Sequence, residues 1–201
     1  IDLFTSGNHL WDQKDAFSYL ETEPRILKPA NYPAAALGNE YYLHSFPDNN
    51  KVAVVSLIGQ AFMGPANSPF ETIDRLLPLL HQETRVVIVD FHAEATAEKR
   101  ALGFYLDGRV SCLIGTHTHV QTADEEILPG GTAYLTDVGM TGPHDSVIGI
   151  EKEIILKKLL SGMPYRYEVA SNGLEINALF IEIEQKSGKA IKIERIKRKI
   201  S

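Results

Sequence analysis

The stretch Val110-Ser-Cys-Leu-Ile-Gly-Thr-His-Thr-His119 joins an apolar run to two histidines one residue apart. The apolar part predicts a buried strand at 110–114, and the histidines follow at its carboxyl end. In a sharply turning segment such a pair points in two directions, so each imidazole can bind one of two adjacent cations. We interpret the stretch as a metal site at the end of a strand.

Two other segments have the same arrangement. Val86-Val-Ile-Val-Asp-Phe-His92 is an apolar strand that ends in histidine, and Asp2-Leu-Phe-Thr-Ser-Gly-Asn-His9 is predicted as a short strand that ends in Gly-Asn-His. The three strand ends together offer Asn8, His9, His92, His117 and His119. A single histidine is more often a hydrogen-bonded core or surface residue, but the joint pattern favours a metal site. Imidazole nitrogens and an amide oxygen suit Zn, Fe and Mn.

The remaining candidate ligands are interpreted as structural. Cys112 is the only cysteine and lies inside a predicted strand, where it is expected to be a small buried hydrophobe. His44, His81 and His144 lie outside the strand-end pattern and are expected at the surface. His144 follows Gly142 and Pro143 near a strand exit, so an approach to the substrate stays open for it.

Composition limits the class of protein. The chain has 201 residues, 44% of them hydrophobic and 23% charged, which predicts one domain at 1–201 with one sizeable core. A net charge of −6 argues against nucleic-acid polymer as a partner and favours a small-molecule substrate. No apolar run approaches the roughly 20 residues that span a bilayer, and a single cysteine fits a reducing compartment, so we expect a cytoplasmic protein.

The order of predicted elements defines an α/β fold class, because strands alternate with helices through most of the chain. The predicted helices lie at 11–23, from Ser68-Pro69 onward, at 97–106 and at 150–160, and the predicted strands at 40–46, 51–58, 86–91, 110–114 and 132–136. The first two of these strands form a β-hairpin. The last third adds strands at 165–169, 174–183 and 190–196, which predict a C-terminal antiparallel meander. The loop at 59–69 is a candidate substrate loop or a plain surface connection.

These motifs together carry a family resemblance. Gly7-Asn-His9, His92 at a strand end and Gly115-Thr-His-Thr-His119 resemble the last three motifs of calcineurin-like metallophosphoesterases, in the expected order. Closer still, Thr5-Ser-Gly-Asn-His-Leu-Trp-Asp12, Asp90-Phe-His-Ala-Glu-Ala-Thr96 and Thr136-Asp-Val-Gly-Met-Thr-Gly-Pro143 are similar to bacterial YmdB-type phosphodiesterases. The resemblance covers essentially the whole chain.

The resemblance implies a fold, an activity and a role for each residue. The fold is a metallophosphoesterase-like sandwich of β-sheets flanked by helices. The activity is hydrolysis of 2′,3′-cyclic nucleotides to 3′-nucleotides at a dinuclear site with two transition metals, iron above all, with manganese or zinc as alternatives. Asn8, His92 and His117 match the ligands of one metal, His119 matches a ligand of the other, and His9 matches the proton donor to the leaving group. The family also suggests a homo-oligomer.

The chain departs from the family pattern at its beginning. Family members begin with a strand ending in Gly-Asp, followed by a Gly-Glu-Asn motif, and the sequence from Ile1 offers no equivalent of either. We therefore expect that N-terminal strands and the first two metal motifs are missing. On that expectation one metal keeps three protein ligands, the other keeps His119 alone, and this chain by itself binds metal and turns over substrate poorly.

Several alternatives stay open. Asp12 is either a carboxylate neighbour of His9 or a residue at the start of a helix, and Asp90 and Glu94 are either groups that orient the histidine ligands or ordinary structural carboxylates. At the level of function, an inactive nucleotide- or protein-binding module and a mononuclear metallohydrolase acting on another phosphoester compete with the dinuclear phosphodiesterase.

Overall fold

A six-stranded mixed sheet forms the centre of the structure, a computed structural model that describes residues 1–200. The strands are β1 (Tyr41–Ser45), β2 (Lys51–Ile58), β3 (Val87–His92), β4 (Cys112–Thr116), β5 (Glu126–Ile127) and β6 (Ala133–Leu135). Their spatial order is β1-β2-β3-β4-β6-β5, with β2, β3, β4 and β6 parallel and the edge strands β1 and β5 antiparallel to their neighbours. The predicted hairpin and the α/β class are confirmed.

Two helices cover one face of this sheet. Helix α2 (Pro69–Leu80) and helix α3 (Thr96–Leu106) pack their buried leucines on Val87, Val89 and Phe91 of β3, in the main hydrophobic core. Alternate residues of a strand face opposite sides, so Ile88 points away from these helices. Helix α2 begins where the sequence predicts, because the Ser68 side chain accepts a hydrogen bond from the Glu71 amide and Pro69 occupies the first turn.

A second, three-stranded antiparallel sheet covers the opposite face. It contains β7 (Gly142–Pro143), β8 (Leu174–Ile183) and β9 (Ala190–Lys199), in the order β7-β8-β9. A smaller apolar cluster joins the two sheets, with Ile88, Cys112 and Ala133 on one side and Ile181 and Ile193 on the other. Cys112 is fully buried there, as predicted. The two packed sheets and flanking helices are the predicted sandwich.

The predicted strand at 2–9 is wrong. Only Phe4 makes a bridge, to Ile26, through two backbone hydrogen bonds of 2.8 Å that the Arg25 carbonyl accepts and the Leu27 amide donates. A strand needs a continuous neighbour, and within residues 1–200 none runs beside this segment for more than that one bridge. The apolar pattern nevertheless brings the segment to β2, where Ser56 Oγ donates to the Ser6 carbonyl at 2.9 Å.

The predicted strand at 165–169 is also wrong. The segment stays exposed and makes a single bridge, between Val169 and Ile150, while β7 occupies the position beside β8. The preceding helix α4 (Lys152–Ser161) forms as predicted but buries none of its residues. Helix α1 (Asp15–Thr22) is shorter than predicted, because turns occupy the residues after His9. Within the described part of the chain, no helix is long and apolar enough to cross a membrane.

We predict that Gly115→Ala destabilises the protein strongly. A Cβ at position 115 would lie 1.7 Å from the Thr136 carbonyl oxygen, so β4 and the chain leaving β6 would have to separate. The expected loss in free energy of unfolding is about 3 kcal/mol, measured by urea denaturation. Gly162→Ala is the control, since open space surrounds Gly162 and only its positive φ of 67° opposes the substitution, at about 1 kcal/mol. Equal losses for both variants would contradict the prediction.

Candidate metal centre

The register of the parallel strands brings the predicted site residues together. Ile58, His92 and Thr116 are aligned partners at the carboxyl ends of β2, β3 and β4, so His117 follows on the loop next to His92. The segment 7–9 crosses above them. A Cβ at Gly7 would lie 2.2 Å from His92 Nε2, so only a glycine allows the backbone to pass this close to the ring.

Three side chains converge at this crossing. His92 Nε2 lies 2.8 Å from Asn8 Oδ1 and 3.1 Å from His117 Nδ1. The two imidazole rings meet edge to face, with centroids 4.8 Å apart. Which of these atoms carry hydrogens decides whether the contacts are hydrogen bonds or a set of lone pairs aimed at a common point.

The partners of His92 on its other side fix its tautomer. Thr116 Oγ1 donates to Asp90 Oδ1 at 2.8 Å, so the hydroxyl can only accept from His92 Nδ1, at 3.1 Å. Nδ1 therefore carries the ring proton. Burial lowers the pKa of His92 to about 4, with a further contribution from His117, so the ring is neutral at pH 7 and Nε2 is a free acceptor. Burial raises the pKa of Asp90 to about 6, which leaves it ionised at pH 7.

His117 is fixed in the complementary way. Its Nε2 lies 3.1 Å from Glu94 Oε2, and the carboxylate favours a proton on that nitrogen, which gives Nδ1 the lone pair. Burial lowers the pKa of His117. Histidine ligands of metals usually donate their second nitrogen to a carboxylate or a hydroxyl in this manner. Asp90, through Thr116, and Glu94 therefore lie where they can orient the two imidazoles, which is the first of the two alternatives given for them.

With the ring protons on His92 Nδ1 and His117 Nε2, the convergent atoms Asn8 Oδ1, His92 Nε2 and His117 Nδ1 offer three lone pairs. Such a contact is repulsive by itself and favourable around a cation, and tetrahedral ligands at about 2.1 Å from a metal lie roughly 3.4 Å apart. Among residues 1–200 no group of three His, Cys, Asp or Glu side chains forms a metal site. The cluster has two imidazoles and one amide, which fits one borderline ion such as Fe, Mn or Zn.

His119 lies on the same loop but not in this cluster. Its Nδ1 donates to the Ile148 carbonyl at 2.9 Å, which leaves Nε2 as an exposed acceptor. Both His117 and His119 have positive φ values, 104° and 66°, which only a strained turn imposes on residues with a side chain. Among the described residues, His119 is the remaining candidate ligand from the strand-end pattern on this loop.

His9 adjoins the cluster from the solvent side. Its Nδ1 donates to Asp12 Oδ2 at 2.7 Å, and its Nε2 lies 3.3 Å from Asn8 Nδ2. The Asn8 amide therefore donates to His9 and turns its oxygen toward His92. Asp12 lies in the turns before α1 and orients His9, which is the first of the two alternatives for this residue.

The sequence analysis missed a buried ion pair under the site. Lys99 Nζ and Asp137 Oδ2 lie 2.8 Å apart, with side chains 0% and 1% exposed. The same carboxylate accepts hydrogen bonds from the amides of Thr118, at 3.0 Å, and Gly139, at 2.9 Å. It thereby fixes the peptide between His117 and His119. A lysine on the side of α3 that carries the buried Leu102 and Leu106 was the sequence signal for this pair.

The three histidines interpreted as structural lie away from the cluster. His44 packs edge-on against Phe46, His81 Nε2 hydrogen-bonds the Arg109 carbonyl at 3.1 Å, and His144 Nε2 donates to the Met140 carbonyl at 3.0 Å. Among the residues described, none of the three makes a hydrogen bond to Asn8, His92 or His117.

The chain is similar to several known proteins along nearly its whole length. Residues 1–196 match the family model described as YmdB-like protein. The 2′,3′-cyclic-nucleotide 2′-phosphodiesterase of Bacillus subtilis is 44% identical over 196 residues, which are 97% of this chain and 74% of that protein. A crystal structure of a hypothetical protein from Thermus thermophilus matches with a TM-score of 0.92 and 39% identity, over 99% of this chain and 77% of that one. A crystal structure of a Mycoplasma pneumoniae protein described as a novel phosphatase matches with a TM-score of 0.90 and 34% identity, over 99% of this chain and 72% of that one.

The fold and these relatives define a phosphoester hydrolase. Within that class, the chain belongs to the YmdB-like family.

We predict that the Lys99–Asp137 pair behaves non-additively in a double-mutant cycle. Lys99→Met and Asp137→Asn each leave a buried group without its partner, and each should lower the free energy of unfolding by about 3 to 5 kcal/mol. The double variant buries no unpaired charge. Its loss in free energy of unfolding should therefore be smaller than the sum of the two single losses. Urea denaturation measures all four proteins. Strict additivity would show that the two side chains do not interact.

Proposed function

We propose that this protein is a metal-dependent phosphodiesterase that hydrolyses 2′,3′-cyclic nucleotides to 3′-nucleotides. The convergence of Asn8 Oδ1, His92 Nε2 and His117 Nδ1 as three acceptors is the observation that carries the proposal. The Bacillus subtilis relative, named for this reaction, supports the substrate class. The catalytic form holds two transition-metal ions, with iron favoured and manganese or zinc as alternatives.

Each residue of the site has a part in this reaction. Asn8, His92 and His117 hold one ion, and His119 is available to the other. A metal ion bound there supplies an activated water and neutralises charge on the phosphoryl oxygens. Glu94 and the Thr116–Asp90 pair keep the two imidazoles turned toward the ion.

His9 protonates the ribose oxygen as it leaves. When the P–O2′ bond breaks, the electron pair stays on O2′, and an alkoxide is too basic to leave without a proton. Asp12 accepts a hydrogen bond from Nδ1, so Nε2 is the nitrogen that faces the cluster. The acid is the imidazolium form of His9, in which Nε2 holds a second proton in place of the hydrogen bond from Asn8 and gives that proton to O2′. The phosphate remains on the 3′ oxygen, and the water oxygen completes it.

We propose that the substrate is a small diffusible molecule and that the protein acts in the cytoplasm. The net charge of −6 disfavours nucleic-acid polymers, and we propose a homo-oligomer on the family resemblance alone. A mononuclear hydrolase is the second candidate, because the described residues supply three donors for one ion and only His119 for another. Metal stoichiometry separates the two candidates.

We predict that metal binding depends on the cluster and not on other histidines. His117→Ala removes a direct ligand, so it should lower metal affinity by more than the roughly 10- to 100-fold that loss of an outer partner costs. Hydrolysis of 2′,3′-cyclic AMP should fall with the metal content. His44→Ala removes a ring that packs edge-on against Phe46, and this variant should keep the metal content and the activity of the parent protein. Elemental analysis after equilibration with a limiting amount of Fe or Mn gives the metal content. Equal metal content in both variants and the parent would contradict the proposed site.

We predict that replacing His9 lowers kcat more for a substrate whose leaving group is more basic. His9→Gln should lower kcat for 2′,3′-cyclic AMP by about 10²- to 10⁴-fold, the usual contribution of a positioned acid. A p-nitrophenyl phosphodiester releases a stable anion that needs no proton, so its kcat should fall far less. Steady-state kinetics on both substrates provides the comparison. The same loss on both would assign His9 to binding or structure instead of proton transfer.

A further inference from the structure

Phe62 is exposed and strained at the same time. It presents 92% of its surface to solvent and has a φ of 64°. It lies in a turn closed by the Met63 amide and the Gln60 carbonyl at 3.5 Å, at a position where positive φ favours glycine. A phenyl ring here contributes no burial and opposes the local backbone. Strain retained at an exposed aromatic side chain indicates a role in binding.

The loop that carries Phe62 is fixed at both ends by one side chain. Asn31, fully buried, donates to the carbonyls of Ile58, at 2.7 Å, and Asn67, at 2.9 Å. Its oxygen accepts from the Ile58 amide at 2.8 Å. Inside the loop, Gln60 Nε2 donates to the Ala66 carbonyl at 2.9 Å. Residues 59–67 are therefore a closed loop with a defined shape.

The same loop lies beside the metal cluster. The Gly59 amide donates to the His92 carbonyl at 3.0 Å, and the Glu98 carboxylate accepts from the amides of Gln60, at 2.8 Å, and Ala61, at 3.3 Å. Glu98 belongs to the first turn of α3, just after the segment with His92 and Glu94.

On its other side, the loop adjoins the segment of His9. The neighbour of Asn31 is Tyr32, whose ring packs on Trp11 with centroids 4.8 Å apart, and Trp11 is two residues from His9. The loop is thus held between the two segments that supply the metal ligands and the proton donor.

We propose that Phe62 binds the nucleobase of the substrate by stacking. The inference rests on the proposed function, since a cyclic nucleotide has two separable parts, a phosphoryl group for the metal cluster and a planar base. Every base has an apolar face, so a single aromatic ring on a loop beside the site accepts all of them and favours the larger purines. Phe62 is a specificity residue for nucleotides over base-free phosphodiesters.

The test compares substrates with and without a base. Phe62→Leu should raise KM for 2′,3′-cyclic AMP about tenfold with kcat nearly unchanged. Ethylene phosphate carries the same five-membered cyclic diester without ribose or base, and its kcat/KM should stay the same. Phe62→Tyr keeps the ring and should retain parent kinetics. Phe104→Leu, which removes an exposed phenyl ring on α3, should change neither substrate.

A binding measurement separates stacking from turnover. By calorimetry, Phe62→Leu should weaken 3′-AMP about tenfold and leave inorganic phosphate unaffected. Phe62→Gly removes the ring and the backbone strain together, so it should weaken 3′-AMP equally without lowering Tm.

The outcomes distinguish this inference from the proposed function. If the parent protein hydrolyses 2′,3′-cyclic AMP and Phe62→Leu affects both substrates equally, or neither, the stacking role is wrong and the phosphodiesterase stands. If the parent protein neither hydrolyses 2′,3′-cyclic AMP nor binds 3′-AMP in the presence of Fe or Mn, the proposed function fails, and the stacking role fails with it.

Discussion

The parallel register of β2, β3 and β4 aligns Ile58, His92 and Thr116 at one edge of the central sheet, and the candidate site depends on that alignment. A shift of one residue in β3 would turn His92 toward the opposite face of the sheet and put Phe91 or Ala93 in its place. The buried pattern on both faces of the sheet, against helices on one side and the second sheet on the other, prevents such a shift. The core therefore fixes where the ligands lie.

Charged and polar neighbours then decide what the ligands offer. Each imidazole has one ring proton, and Thr116 and Glu94 bind it on the side away from the cluster. Asp12 binds the Nδ1 proton of His9 in the same way. His9 Nε2 then accepts a hydrogen bond from the Asn8 amide and so orients that amide. The result is a set of lone pairs that point at one another, an arrangement that costs energy without a cation and stabilises a bound one. The chemistry of the site thus comes from residues that would not touch the metal.

Backbone strain is concentrated at the same edge of the sheet. His117, His119 and Phe62 all have positive φ values, and none of them is a glycine. The Asp137 carboxylate, itself paired with Lys99, stabilises the peptide between the two histidines, and Asn31 closes the loop of Phe62. Each strained turn has a buried polar side chain behind it, which accounts for its persistence. The stability of the core is used to hold side chains in orientations that their own backbones disfavour.

The sequence by itself determined the class of fold and selected the candidate ligands. Apolar runs ending in His92 and in Gly115-Thr-His-Thr-His119 are sufficient for that, because strand periodicity and ligand chemistry are both local properties. Tertiary structure alone decided that residues 2–9 are not a strand, since strand pairing depends on a neighbour that the segment cannot specify. It also decided the proton positions on the imidazoles and the Lys99–Asp137 pair, because those partners are 19 to 38 residues apart in the chain and meet only when the sheet and α3 have packed.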